Sequence, residues 1–528
     1  MQAIKPTKIR MPRGMSWVIL AAILFLMLTS LRMTESTSRV VVLVRDNFLG
    51  PVRAALFYLR WVPLFVLGAA ALAIAVWNRS LPRLPNRVDA VILVFIGLAL
   101  LSALYSIDPE ISVLRGLSVL LMYGAVFWGV WVCADEFGAA AVMRIMVAAA
   151  GIVIGLHVVV ALFDLSGSFP YSGRFRGWAL NPGTTAGEVA LLLPLALWHA
   201  LGRPRWQHWM LVGTMILVLI LSQTRSELFA ALVGSLYFLL RVRSHRKLFV
   251  IFSGVAVLVV SLAWVEIGPR LLPQGTDILT DLFPEKVASS MVTTVEAGDT
   301  EGTGASIAGA GVGTGDVEGT GASGVGAGVG TGDTESARAS DVGDIETALD
   351  QWSETKVRWY DRENPRNDTA ITLSNRIGKW TLGAQYFLER PLMGFGFGTE
   401  DQLFDLYGMR PVEYVYTGTY FHNSYLGLAL QLGLMGAVLF YLPLGLLVSR
   451  EIRFANRPPP DLMRTALMAV VLTGMVSGLF SSDLYSMGNP KTVSFWICVM
   501  LLQRCNHSPV VNSDVGGLLG RTTRQYKC

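Results

Sequence analysis

One histidine and four arginines are the residues whose types and placement could do chemistry in this chain. Phe421-His422-Asn423-Ser424-Tyr425 places an imidazole directly before Leu426 to Val448, a hydrophobic run of about 23 residues, long enough to cross a bilayer as a helix. A ring held at a water–membrane boundary can take or give a proton near neutral pH. Asn423 and Tyr425 are then further candidates to touch substrate, and the plainer reading is a polar helix start that happens to contain a histidine. Gly433-x-x-Gly436 follows, its glycines one helical turn apart, a spacing that suits close helix approach.

The arginines are Arg174 and Arg176 in Gly173-Arg174-Phe175-Arg176-Gly177-Trp178, Arg225 in Ser222-Gln223-Thr224-Arg225, and Arg376 in Ser374-Asn375-Arg376. A guanidinium fork binds two phosphate oxygens at once. Arginines gathered beside one histidine near a leaflet suit a lipid-borne diphosphate. The cations would stabilise its departure without a metal, and the imidazole would activate an incoming hydroxyl. The competing reading pairs these arginines with headgroups and loop carboxylates.

Membrane spans must position these residues. The chain has 528 residues, 52% hydrophobic and 15% charged, with a mean hydropathy of +0.50. Soluble domains carry roughly 25% charge, so the composition reads as an all-α, multi-spanning membrane protein. The net charge of +5 is no nucleic-acid signal, because the basic residues lie in short loops between apolar runs. Apolar runs near 15–31, 61–77, 88–105, 114–133, 143–163, 183–201, 209–222, 226–240, 248–265, 426–448, 465–480 and 492–502 predict about 12 transmembrane helices. The first is read as a retained span, since no small-residue cleavage site follows it. Lys5, Lys8, Arg10 and Arg13 place the N-terminus inside, and the arginine-bearing loops after even-numbered spans agree. Residues 32–60 dissent, with five arginines on the predicted outer side. They read either as an amphipathic interfacial helix or as a sign that the first span is misassigned.

The expected organisation is a membrane region over 1–265, a large outer loop over 266–421 between spans nine and ten, a second membrane region over 422–502, and a cytoplasmic tail over 503–528. Within the loop, 298–334 repeats Gly-Asp-x-Glu-Gly-Thr-Gly-Ala-Ser and reads as a flexible insertion. Ile377 to Leu388 has helical spacing, with Trp380, Ala384, Phe387 and Leu388 on one side. Gly394-Phe395-Gly396-Phe397-Gly398 is a tight backbone passage without the Lys-Ser/Thr pair or the preceding strand of a nucleotide loop. The seventh and eighth runs are short. They predict a hairpin whose turn carries Arg225 below the outer surface, a costly depth for a charge. On this topology His422 is the one outward histidine of six. His157 lies mid-span as a packed core residue, and His199, His208, His245 and His507 are cytoplasmic. No metal-ligand cluster, disulfide framework or cofactor is expected.

On His422-Asn423-x9-Gly433-x-x-Gly436 the chain resembles the O-antigen ligase/polymerase superfamily of bacterial inner-membrane glycan transferases. Arg174 to Ala186, Ser222 to Leu228 and Asn375 to Gly398 resemble it more weakly, in the family's order, so the likeness covers roughly 170–500. The insertion is a departure that bears on the loop's geometry. The resemblance implies a helical fold like that of lipid-linked sugar transferases. It implies metal-independent, inverting transfer of a glycan from an undecaprenyl-diphosphate carrier to an acceptor hydroxyl, with the active site facing the periplasm and both termini cytoplasmic. It assigns His422 as general base or acceptor-orienting group and Arg225 and Arg376 as diphosphate ligands. Asp483 would position the acceptor, against a plain reading as a solvated loop aspartate. The acceptor is lipid A-core for a ligase and a growing O-antigen or exopolysaccharide for a polymerase. The rival class is a transporter, disfavoured by the absence of an inverted repeat in the hydrophobic pattern.

Overall fold

The computed structural model describes residues 15–30, 59–81, 83–169, 174–179, 182–242, 368–406, 421–454, 461–487 and 490–507, all within one compact unit. The ninth apolar run, the 298–334 repeat, most of the 266–421 loop, most of 32–60 and the tail beyond 507 lie outside them.

The described residues are helical, without a strand. Helices cover Met15–Ser30, Trp61–Asn78, Arg87–Leu101, Pro109–Phe137, Ala139–Phe163, Pro182–Gly202, Trp206–Ser222, Arg225–Arg241, Ser424–Phe454, Leu462–Ser477 and Pro490–His507. Every predicted run other than the ninth therefore falls on a helix. Six helices are long and apolar enough to cross a membrane, and Trp17–Leu26, Trp206–Ser222 and Leu462–Ser477 are shorter apolar segments.

Short polar residues set the starts. Asn86 and Asp89 form a reciprocal capping box at Arg87–Leu101. Asp108 caps a helix that opens on Pro109, and Asp461 caps Leu462–Ser477. The helices pack around one continuous apolar core. Small residues allow the closest contacts. A Cβ on Gly234 would stand 1.9 Å from Thr473 Oγ1 and 2.7 Å from the Ala469 carbonyl, so Arg225–Arg241 and Leu462–Ser477 meet nearly backbone to backbone.

Two details differ from expectation. The helix expected over 377–388 runs Asp368–Glu389 and stops before Pro391, but its buried face is turned. Gly383 and Tyr386 are covered while Ala384 and Leu388 are exposed. The cause is Gly383, which lets the helix close on Phe421 and Leu426, each 2.9 Å from where a Cβ would stand. Gly433, expected in a regular helix as a contact point, instead breaks it, with φ 63° and ψ −165°.

Candidate functional site

The break at Gly433 builds the ground of the site. It frees the carbonyls of Leu430 and Gln431, which accept from the Phe395 and Gly396 N–H groups at 2.9 Å each. Gln431 Oε1 takes the Gly398 N–H at 2.7 Å. Gly394, Gly396 and Gly398 all have positive φ, the region that only glycine enters freely. The tight passage thus docks on the broken helix. Its other side meets the end of Arg87–Leu101, where Ser102 Oγ accepts the Phe397 N–H at 3.0 Å.

His422 sits above this ground in a left-handed conformation, φ 53°, held from both sides. The Phe421 N–H donates to Glu400 Oε1 at 2.8 Å, and Trp380 Nε1 donates to the Phe421 carbonyl at 2.8 Å. Asn423 Oδ1 accepts from the Tyr425 and Leu426 N–H groups. The Ser424 N–H donates to the Gly478 carbonyl, and its Oγ donates to the Ser481 carbonyl at 2.6 Å. A non-glycine residue at positive φ is strained by about 1–3 kcal/mol and persists where its surroundings fix it, often at functional sites.

Charges converge here. The His422 imidazole is pushed down to about 3, first by burial, then by the positive charges of Lys379 and Arg376, with Asp483 pulling the other way. Its ring is therefore neutral across the physiological range. Arg376 is lowered from its usual value by burial and by Arg174, with Glu227 opposing. Lys491 links Glu227, at 2.8 Å, to Asp483, with which it forms a close ion pair. Ser477 Oγ donates to Glu227 at 2.9 Å. Lys491 lies flat along Gly187, where a Cβ would collide with it. Beneath His422, the buried Glu400 carboxyl also receives Ser482 Oγ at 2.8 Å and Tyr485 OH at 2.7 Å. Burial raises it to about 7 against those donors.

Of the sequence-predicted residues, the structure gathers His422, Arg376, Asp483 and Arg174 into one electrostatic neighbourhood. Arg174 donates to the Ser222 carbonyl and Thr224 Oγ1, each at 3.2 Å, so it braces the turn before Arg225. Arg225 is exposed at the start of Arg225–Arg241, two residues from buried Glu227. Arg176 is placed differently. It is fully buried, and its Nε donates to the Gly167 carbonyl at 2.8 Å. Asn423 acts as a helix cap. Tyr425 stacks on Tyr441 at 4.6 Å and donates to the Met475 carbonyl. His157 is packed between Phe175 and Trp178. Among the described residues no group of three or more His, Cys, Asp and Glu is placed to hold a metal ion.

Sequence reasoning missed Glu227, Lys491, Lys379 and Glu400. Glu227 and Lys491 stand at the starts of apolar segments, buried, and a charge at that depth is a functional signal by itself. Glu400 gave no such signal, because it follows a glycine-rich loop.

No curated protein matches the chain. The family model for O-antigen ligase matches residues 210–441, a stretch that contains Arg225, Arg376, His422 and the Gly433 break. That match over the site's central residues supports the likeness to the O-antigen ligase/polymerase superfamily.

Proposed function

We propose that the protein is a bacterial inner-membrane glycosyltransferase. It moves a glycan from an undecaprenyl-diphosphate carrier to a hydroxyl of lipid A-core, with inversion at the anomeric carbon. The observation that carries this reading is the neutral, strained imidazole of His422 set in the field of Arg376 and Lys379. The acceptor oxygen attacks the anomeric carbon and gives its proton to His422. The bond from that carbon to the carrier's phosphate oxygen breaks on the opposite face. The charge left on the diphosphate is met by Arg376, with Arg225 and Arg174 alongside, without calling on a metal. An imidazole held near 3 is a weak base. A bound diphosphate offsets the two cations that add to the effect of burial, so the base gains strength when donor is present. Asp483, tied to Lys491, lies on the acceptor side. The arginine-rich loops after even-numbered spans support a site on the periplasmic side, with both termini cytoplasmic.

The test is reconstitution in proteoliposomes with lipid-linked glycan and lipid A-core. His422→Ala should lower transfer by about 10²–10⁴-fold, and Arg376→Ala by about 10²–10³-fold. Undiminished transfer by His422→Ala would end the assignment. Substituting a lipid-linked repeat unit as acceptor tests the polymerase alternative with the same variants. The pH profile of kcat/KM offers a second check. Because the His422 ring of the free protein is held near 3, no acid limb should appear near the ordinary histidine value of about 6.5.

A further inference from the structure

Away from His422, the buried polar atoms without a hydrogen-bond partner among the described residues include His157 Nε2 and Glu188 Oε1. His157 stands on Ala139–Phe163 and Glu188 on Pro182–Gly202. The two residues are 1% and 3% exposed. Both line one small cavity whose other walls are Ala150, Val153, Ile154, Val189, Leu192 and Met215. Those walls offer no polar side chain. The space holds about one water.

The chemistry of the ligand follows from the ring's other nitrogen. His157 Nδ1 accepts the Trp178 N–H at 3.3 Å. Gly177, with φ 59°, lies so close that a Cβ would stand 2.2 Å from Nδ1. With Nδ1 accepting, a neutral ring carries its proton on Nε2, so the atom facing the cavity is a donor. A metal or alkali cation would need a lone pair there and would meet a proton instead. The ligand must accept from Nε2–H and also hydrogen-bond a carboxyl oxygen. A water or small hydroxyl does both. An unmet donor and an unmet carboxyl in apolar walls are each costly, and a space of one water's size with two polar partners can hold a water.

We propose that His157 and Glu188 bind one internal water that joins the 174–179 loop to the Pro182–Gly202 helix. The placement gives the bridge a purpose. His157 forms the floor of the loop that carries Arg174. Glu188 follows Gly187, along which Lys491 lies, and the Lys491 charge acts on the Glu188 carboxyl. The water therefore ties together two supports of the charged region, the loop bearing Arg174 and the helix along which Lys491 lies.

The test is a double-mutant cycle on the full chain in detergent, read by thermal melting. His157→Phe and Glu188→Leu should each lower Tm by about 2–4 °C or more. The double variant should lose clearly less than the sum, because the second change removes a group the first has already orphaned. His157→Phe also strips the Trp178 N–H of its acceptor, but that loss is common to both arms and cancels. Glu188→Gln, which still bonds a water, should melt near the parent. Additive losses would overturn the proposal. Should the apolar variants fail to fold, an experimental map that shows waters decides it. Density about 2.7–3.2 Å from both atoms is expected, and an empty cavity or a direct imidazole–carboxyl contact would refute the bridge.

Discussion

At the start of the Arg87–Leu101 helix, Arg83 meets Asp89 through nitrogen–oxygen pairs of 2.6 and 2.5 Å. About 22 Å away along that helix, its far end supports the loop beneath His422. The Arg83 pair is closed on all sides. Tyr123 OH donates to Asp89 at 2.9 Å, Arg83 Nε donates to the Phe127 carbonyl at 2.8 Å, and Trp128 and Trp131 cover the guanidinium at 4.3 and 4.6 Å. One cation and one carboxylate saturate each other. At the His422 end, one lysine is divided between two carboxylates, and a neutral imidazole sits in the field of two further cations. The first arrangement can only hold helices together. The second has positive field directed at a group that carries no charge of its own, which suits the anionic substrate proposed above.

Removing one cation from each end should give the largest separation. Arg83→Met leaves Asp89 buried without its partner, and Lys491→Met leaves both Glu227 and Asp483 so. A broken buried pair costs about 3–5 kcal/mol, with Lys491→Met the costlier because it strands two carboxylates. Melting in detergent checks the stability loss. Transfer per folded molecule checks the contrast: Arg83→Met should retain it and Lys491→Met should lose most of it. A well-folded Arg83→Met protein without transfer would break the comparison.

Glu400 sharpens the comparison through pH. Its folded value of about 7 lies above the ordinary glutamate value of 4.5. Between those values the folded state holds a proton that the unfolded chain has released, so stability falls as pH rises through this window and levels off above it. The shift corresponds to roughly 3 kcal/mol across the window. Tm measured from pH 4.5 to 8 should decline for the parent, and Glu400→Gln should flatten the decline. An equal slope in both proteins would show that Glu400 does not titrate there.

Much of this was legible in the sequence, for separable reasons. Helices follow apolar runs, and Asn86, Asp108 and Asp461 mark their starts by local chemistry that any reader of side chains can apply. His422 and Arg376 were legible because the family signature and the clustering of arginines pointed the same way. The pairing of Glu227 with Lys491 was not, since it joins residues 264 apart in the chain. Nor was the role of Glu400, whose four donors come from Phe421, Gln431, Ser482 and Tyr485. Arg174 and Arg176 show the limit most closely. They are two residues apart in one motif, yet one reaches the Arg225 turn and the other is buried against the Gly167 carbonyl. Local pattern finds the chemical types, and tertiary packing decides which of them meet.

The smallest effects repeat the contrast within one helix. Ser424–Phe454 starts at the His422 end and runs toward Glu451, which pairs with Arg464. Gly433 lies near its start, at φ 63°, with the Leu392 carbonyl carbon and oxygen 2.2 Å from where a Cβ would stand. Gly445 lies further along, with nothing within 4 Å. Gly433→Ala must push backbone against backbone in a conformation alanine resists, at a cost of about 2–4 kcal/mol. That movement displaces the acceptors of Phe395 and Gly396 and hence the ground under His422, so transfer should fall together with Tm. Gly445→Ala meets open space in regular helix and should stabilise by up to about 1 kcal/mol, leaving transfer unchanged. Melting curves and transfer rates for the two variants separate these outcomes. A harmless Gly433→Ala would mean that the helix can close its break without disturbing the site, and that the 394–398 loop does not depend on it.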